Sequence, residues 1–122
     1  MNKMYDISTK ISNQLPTVRL NDELIFSVNN RKDNMLLVKK YVEDTEKKAQ
    51  QVQEAIERGE DVEPVEEFAA MDGALKLLIG AKATEALNEL NLPLPEYKMV
   101  YQTIMGAAQG VDPEKLFQDK NQ

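Results

Sequence analysis

Residues 31–58 read RKDNMLLVKKYVEDTEKKAQQVQEAIER, and the spacing within them decides the fold. Met35, Val38, Val42, Thr45, Ala49, Val52 and Ile56 follow one another at alternating steps of three and four. Such steps keep side chains on one edge of a helix that packs lengthwise on a partner. Leu36, Leu37 and Tyr41 widen the apolar stripe near its start. From Glu43 onward almost every position off the stripe is charged or an amide. The first half is therefore predicted to be broadly buried and the second half buried only along a thin seam. That seam fits either intramolecular packing or a coiled coil with another copy. A helix from about Arg31 to Arg58 is about 40 Å long. Asn29 or Asn30 is suited to cap its start, and Gly59 lies where it should end.

Beyond the turn at Gly59-Glu60-Asp61, Pro64 suits the first turn of a second helix. Its stripe is Val65, Phe68, Met71, Leu75, Leu78 and Ile79. Gly73 and Gly80 interrupt it, each at a cost of about 1 kcal/mol in a helix interior. The pattern resumes with Ala81, Ala83, Ala86, Leu87 and Leu90, so Gly80 marks either a kink or a division into two helices. Two prolines break the chain between Asn91 and Pro95. Pro95 opens a further helix with the stripe Tyr97, Val100, Tyr101, Ile104, Met105 and Ala108, and Gly110 is placed to end it. Asp112-Pro113-Glu114 is a helix-start signature for a last short helix carrying Leu116 and Phe117, and residues 119–122 are expected to fray.

Upstream, Thr17 to Val28 reads as a β-hairpin. Val18 and Leu20 share one face, as do Leu24, Phe26 and Val28, and Asn21-Asp22 is the expected tight turn. A lone hairpin is marginal in water, so its apolar face must pack on helices or meet another copy. Val18, Leu20, Phe26 and Val28 are thus the candidates for self-association. Residues 1–16 show no period and are expected to form a flexible arm. The fold class is mainly α with a small N-terminal β-hairpin (α+β): a compact helical domain with one long helix, spanning 17–122.

Composition narrows function. The chain has 122 residues, 42% hydrophobic and 30% charged, enough for one modest core. It has no Cys and no His, which removes disulfides, thiolate sites and the commonest general base and metal ligand. A net charge of −6 repels phosphates and argues against nucleic-acid binding. No apolar run is long enough to span a bilayer and no leader core is visible, so a cytoplasmic protein is expected. Phosphate loops, HExxH and GxSxG are absent. The dense carboxylates Glu54, Glu57, Glu60, Asp61, Glu63, Glu66 and Glu67 lack cation-loop spacing and read as a solvated turn, or as an acidic lip for a basic partner. The pairs Arg31-Lys32, Lys39-Lys40 and Lys47-Lys48 form a basic stripe that interleaved acids neutralise. Neither an enzyme nor a bound cofactor or metal is expected. The stripe Tyr97, Tyr101, Ile104 and Met105 reads either as core or as the wall of a groove that receives a partner helix.

Phe68, the run Met71-Asp72-Gly73-Ala74-Leu75-Lys76-Leu77-Leu78-Ile79-Gly80 and then Ala83-Thr84-Glu85-Ala86-Leu87 resemble the middle of the tail assembly chaperones of long-tailed bacteriophages. Leu92 to Pro95 and Tyr97 to Ala108 look like that family's following linker and amphipathic helix. The hairpin and the helix from Met35 to Tyr41 look like its N-terminal part, so the likeness runs over residues 17–117. It implies a non-catalytic protein that binds the tape measure protein, and often the tail tube protein, during assembly. It further implies action in the host cytoplasm and absence from the mature virion. Some members of that family self-associate, in agreement with the homo-oligomer expected from the hairpin and the thin seam. Charge and hydropathy leave no nucleic-acid or membrane partner expected. Other expectations are a minor structural protein such as a head–tail connector and, further off, a nucleic-acid-binding regulator.

Overall fold

The computed structural model describes residues 3–64, 66–112 and 114–115. Val65, Pro113, Leu116, Phe117 and residues 119–122, singled out above, lie outside them. The chain is mainly helical with a small antiparallel hairpin at its N-terminal side. Strands β1 (Thr17–Arg19) and β2 (Ile25–Ser27) precede helices α1 (Lys32–Glu57), α2 (Glu67–Ile79), α3 (Ala81–Glu89) and α4 (Leu94–Ala108).

In the hairpin Val18 faces Phe26, Thr17 faces Ser27 and Arg19 faces Ile25. This register leaves Leu20 to Leu24 as the loop, instead of a two-residue turn at Asn21-Asp22. The side chain of Asn21 explains the longer loop. Its Oδ1 accepts from the N–H groups of Glu23 and Leu24, both at 2.8 Å, and so closes an Asx turn without left-handed backbone. Val18, Phe26 and Val28 point inward and are buried.

Helix α2 is the hub: α1, α3 and α4 all pack against it, and α4 also packs on β1. The core joins Val18, Phe26 and Val28 of the hairpin region to Val38, Leu75, Leu78, Leu87, Val100, Ile104 and Ala108. Gly80 does divide the helices. At φ +90° and ψ 158° it closes α2 and opens α3, and the buried Thr84 donates its hydroxyl back to the Gly80 carbonyl at 2.8 Å.

Helix α1 ends in a Schellman motif. Gly59, at φ +84°, donates to Ile56 O, and Glu60 donates to Ala55 O, both at 3.0 Å. After a tight turn in which Val62 N–H donates to Glu60 O at 3.2 Å, α2 starts at Glu67 and not near Pro64. Glu63, Pro64 and Glu66 line the same recess as Thr45, Lys48 and Val52 of α1. The turn covers Ala55, which is buried, while Ile56 at the end of the seam stays exposed. Val42, Thr45, Ala49 and Val52 are half-buried, as a thin seam requires.

The start of α1 also differs from expectation. Arg31, not Asn29 or Asn30, holds the N-cap position. The asparagines are used elsewhere. Asn34 Nδ2 donates to Leu77 O at 2.8 Å and to Asn29 O at 2.7 Å, Asn29 N–H donates to Leu78 O at 2.7 Å, and Asn30 Nδ2 reaches Ala108 O at 3.5 Å. Gly73 faces the ring of Tyr41, whose hydroxyl donates to Ala70 O at 3.1 Å; a Cβ there would overlap that ring.

Two stability predictions follow from these contacts. Gly73→Ala should lower unfolding free energy by about 1–3 kcal/mol through overpacking, although alanine is the better helix former. Tyr41→Ala in the same chain should recover part of the loss, which a double-mutant cycle in urea will show. Asn34→Ala should cost about 1–3 kcal/mol, because it leaves carbonyl groups of two elements without their donor. The urea midpoint reads that loss directly.

Candidate functional site

Helices α1 and α4 both lean on α2 but do not pack closely on each other. Between them runs an apolar groove. Its first section, about 570 Å³, is lined by Met35, Leu36, Val38 and Val42 of α1 and Met105 of α4, with Lys32, Lys39, Glu43 and Gln109 at its rim. A second section of about 310 Å³ shares Val42 and continues past Thr45 and Ala49. There the facing wall is Ala70, Met71 and Ala74 of α2 with Tyr101 of α4, and Glu46 and Glu67 form the rim. The groove follows the three-four seam of α1, because that seam carries more apolar surface than α2 alone can cover.

The four aromatic and apolar candidates of α4 part company. Tyr101 and Met105 line the groove. Ile104, one helical step away, is fully buried in the core. Tyr97 sits in a separate recess of about 360 Å³ with Phe68, Asp72, Leu87, Asn88, Asn91, Leu92 and Leu94. Its ring meets Phe68 edge-on at 6.0 Å, its hydroxyl donates to Asp72 Oδ1, and Asn88 Nδ2 donates to Asp72 Oδ2 at 3.1 Å.

The hairpin candidates Val18, Phe26 and Val28 are buried in the chain's own core, and Leu20 packs against the same cluster. The hairpin has one apolar face, and the helices already cover it. What it presents outward is Thr17, Arg19, Ile25 and Ser27.

Leu36, Met71 and the alanines of α2 also belong to the groove, although their spacing marks Leu36 and Met71 only as stripe residues. Leu36 and Leu37 widen the α1 stripe beyond a seam, and both remain more than half exposed, at 60% and 57%.

The groove walls are mostly apolar, with two tyrosines nearby whose phenols are shifted. Burial pushes the Tyr101 phenol up from its ordinary value of 10.0, with the nearby Tyr41 adding to the effect. Burial pushes Tyr97 up as well, and the Asp72 carboxylate reinforces it. Both therefore remain neutral phenols at physiological pH. The acidic residues from Glu54 to Glu67 are all exposed; Arg58 pairs with Glu60 at 2.7 Å and Lys98 with Glu67 at 3.7 Å. Among the described residues no group of three His, Cys, Asp or Glu could hold a metal ion, and no helix is long and apolar enough to cross a membrane. Compared with known proteins, the chain matches no family model, no curated protein and no solved structure.

The raised phenols set an alkaline limit. A group whose folded pKa lies above its unfolded one supports the fold fully below the unfolded value and loses that support as pH rises through the folded one. Stability should hold up to about pH 10, the ordinary value for tyrosine. It should fall above that, where Tyr97 and Tyr101 ionise only in the unfolded chain. Urea midpoints at pH 8 to 11 should show a shallower alkaline fall for Tyr101→Phe than for the native chain.

Proposed function

We propose that this chain is a tail assembly chaperone of a long-tailed phage, whose groove shelters apolar helical segments of a tape measure protein. The tail tube protein is a second client of the same kind. The observation that carries the reading is the unfilled α1–α4 groove, an apolar trough rimmed by charges. Such a surface takes the apolar face of an amphipathic helix at positions three and four apart, while rim charges tune registration more than affinity. Met35, Met71 and Met105 suit clients of varied sequence, since methionine side chains repack readily. The work is reversible cover for greasy surface: no bond is made or broken, and no cofactor is needed. The chain acts in the host cytoplasm, self-associates when no client is held, and is left behind when the tail is complete.

Co-expression with the product of the large neighbouring reading frame tests this. The native chain should keep that product soluble and co-purify with it. Leu36→Asp, at an exposed position, and Met105→Asp should each weaken the complex about tenfold or more, equivalent to about 1.4 kcal/mol. Ile25→Asp, on the outer face of the hairpin, should leave it unchanged. A neighbour that stays insoluble and unbound sinks the reading. Mass spectrometry of purified virions should detect none of this chain; finding it there at stoichiometric level favours a connector instead.

A further inference from the structure

Residues 3–14 are exposed throughout and include four bare apolar side chains: Met4 at 89%, Tyr5 at 85%, Ile7 at 55% and Ile11 at 60%. The stretch is not shapeless. Asp6 Oδ1 accepts from Ser8 N–H at 2.9 Å, and Ser8–Lys10 form a single 3-10 turn. We propose that the groove between α1 and α4 also takes residues 4–11 of a second copy of this chain. Self-association and client binding then exclude each other; that last clause alone rests on the chaperone reading.

Three observations point to this occupant. The first is length. With its turn retained, the arm from Met4 to Ile11 spans about 20 Å. The groove floor from Met35 to Ala49 spans about 21 Å. The second is charge. Laid parallel to α1, with Met4 over Met35 and Leu36, the arm brings Ile7 to Val42 and Ile11 to Ala49. Asp6 then falls beside Lys39 and Lys10 beside Glu46, both rim residues. Reversed, Asp6 meets Glu43 and Glu46, and Lys10 approaches Lys39. Rim ion pairs are individually weak, so their part is to choose the direction.

The third observation separates a second copy from the chain's own arm. The arm is rooted at the start of α1. Val28 N–H donates to Pro16 O at 2.8 Å, and Arg31 Nη1 donates to Asn13 Oδ1 at 2.9 Å. From that root a chain's own arm enters the groove only at the Lys32 end, which is the reversed, like-charged direction. A partner's arm can enter with the favourable polarity. If each arm fills the other copy's groove, the contact is isologous and closes as a dimer.

The chain lacks cysteine, so engineered thiols report alone. Ile7→Cys protein mixed with Val42→Cys protein and mildly oxidised should give a disulfide-linked pair, since a disulfide needs Cβ atoms about 4 Å apart. Ile7→Cys mixed with Leu37→Cys, which lies outside the groove, should give little. In sedimentation the native chain should move with rising concentration from its monomer mass of 13.8 kDa to twice that. Lys39→Glu should move the shift to several-fold higher concentration, and Asp6→Lys added to the same chain should bring it back. A native chain that stays monomeric at every concentration overturns the proposal. So does an Ile7→Cys, Val42→Cys double variant that closes on itself. Met4→Asp, Ile7→Asp and Ile11→Asp together should give a monomer that binds client several-fold more tightly. Unchanged client affinity in that monomer overturns the competition but not the chaperone reading. An Ile7–Val42 cross-link in the native pairing, together with a triple-aspartate monomer that binds no client, overturns the chaperone reading and leaves the arm contact standing.

Discussion

The carboxyl end of α2 is where the architecture is tied together. Gly80 stops that helix, and a stopped helix leaves its last carbonyls without partners. Leu77 O is met by the Asn34 side chain and Leu78 O by the Asn29 backbone. One amide group of Asn34 thus bonds the hairpin exit and α2 at once, from the first turn of α1. Asn30 extends the junction to the end of α4 through Ala108 O. The cost of leaving buried carbonyls bare makes this arrangement hard to rearrange. It fixes the two flanking helices to the hub near one end of the molecule. Along the rest of their length each rests on α2, and the trough between them remains.

Much of this was legible in the primary structure, because periodicity reports which side chains share a face. The seam of α1 from Met35 to Val52, the alternation of Val18, Phe26 and Val28, and the helix stop at Gly110 all follow from spacing and backbone preference. Gly110 takes φ +77° and closes α4 with the same motif that Gly59 uses on α1. What spacing could not supply was which elements meet. Asn29 and Asn30 look like capping material for α1, yet only Asn29 Oδ1 stays local, accepting from Arg31 N–H at 3.3 Å; the tertiary arrangement turns the Asn34 and Asn30 amides towards α2 and α4. Gly73 reads as a weak point until Tyr41 is placed over it. The α4 stripe illustrates the limit best. Tyr97, Tyr101, Ile104 and Met105 share an amphipathic face by sequence, yet a face wide enough to touch three neighbours is divided among a recess, a groove and the core.

Among the described residues, buried and half-buried hydroxyls of the helices serve the architecture. The buried hydroxyl of Thr84 serves Gly80, that of Tyr41 serves Ala70, and that of Tyr97 serves Asp72. The chain has neither imidazole nor thiol, and the floor of the groove is methionine, leucine and valine surface. The surrounding lysines and glutamates keep the same surface from associating indiscriminately.

The distal half of α1 has a different standing from the rest. Beyond Val42 its side chains stay out of the common core, and Glu63, Pro64 and Glu66 of the returning chain lie beside Thr45, Lys48 and Val52. That pair, an outgoing helix and a returning ribbon joined by one glycine-closed reversal, can change length without disturbing the asparagine junction. Two added helical turns, matched by a longer return, extend α1 by about 11 Å. The reach of that helix is therefore set by a segment that the packing around the hub does not constrain, while the parts that hold the body together stay fixed.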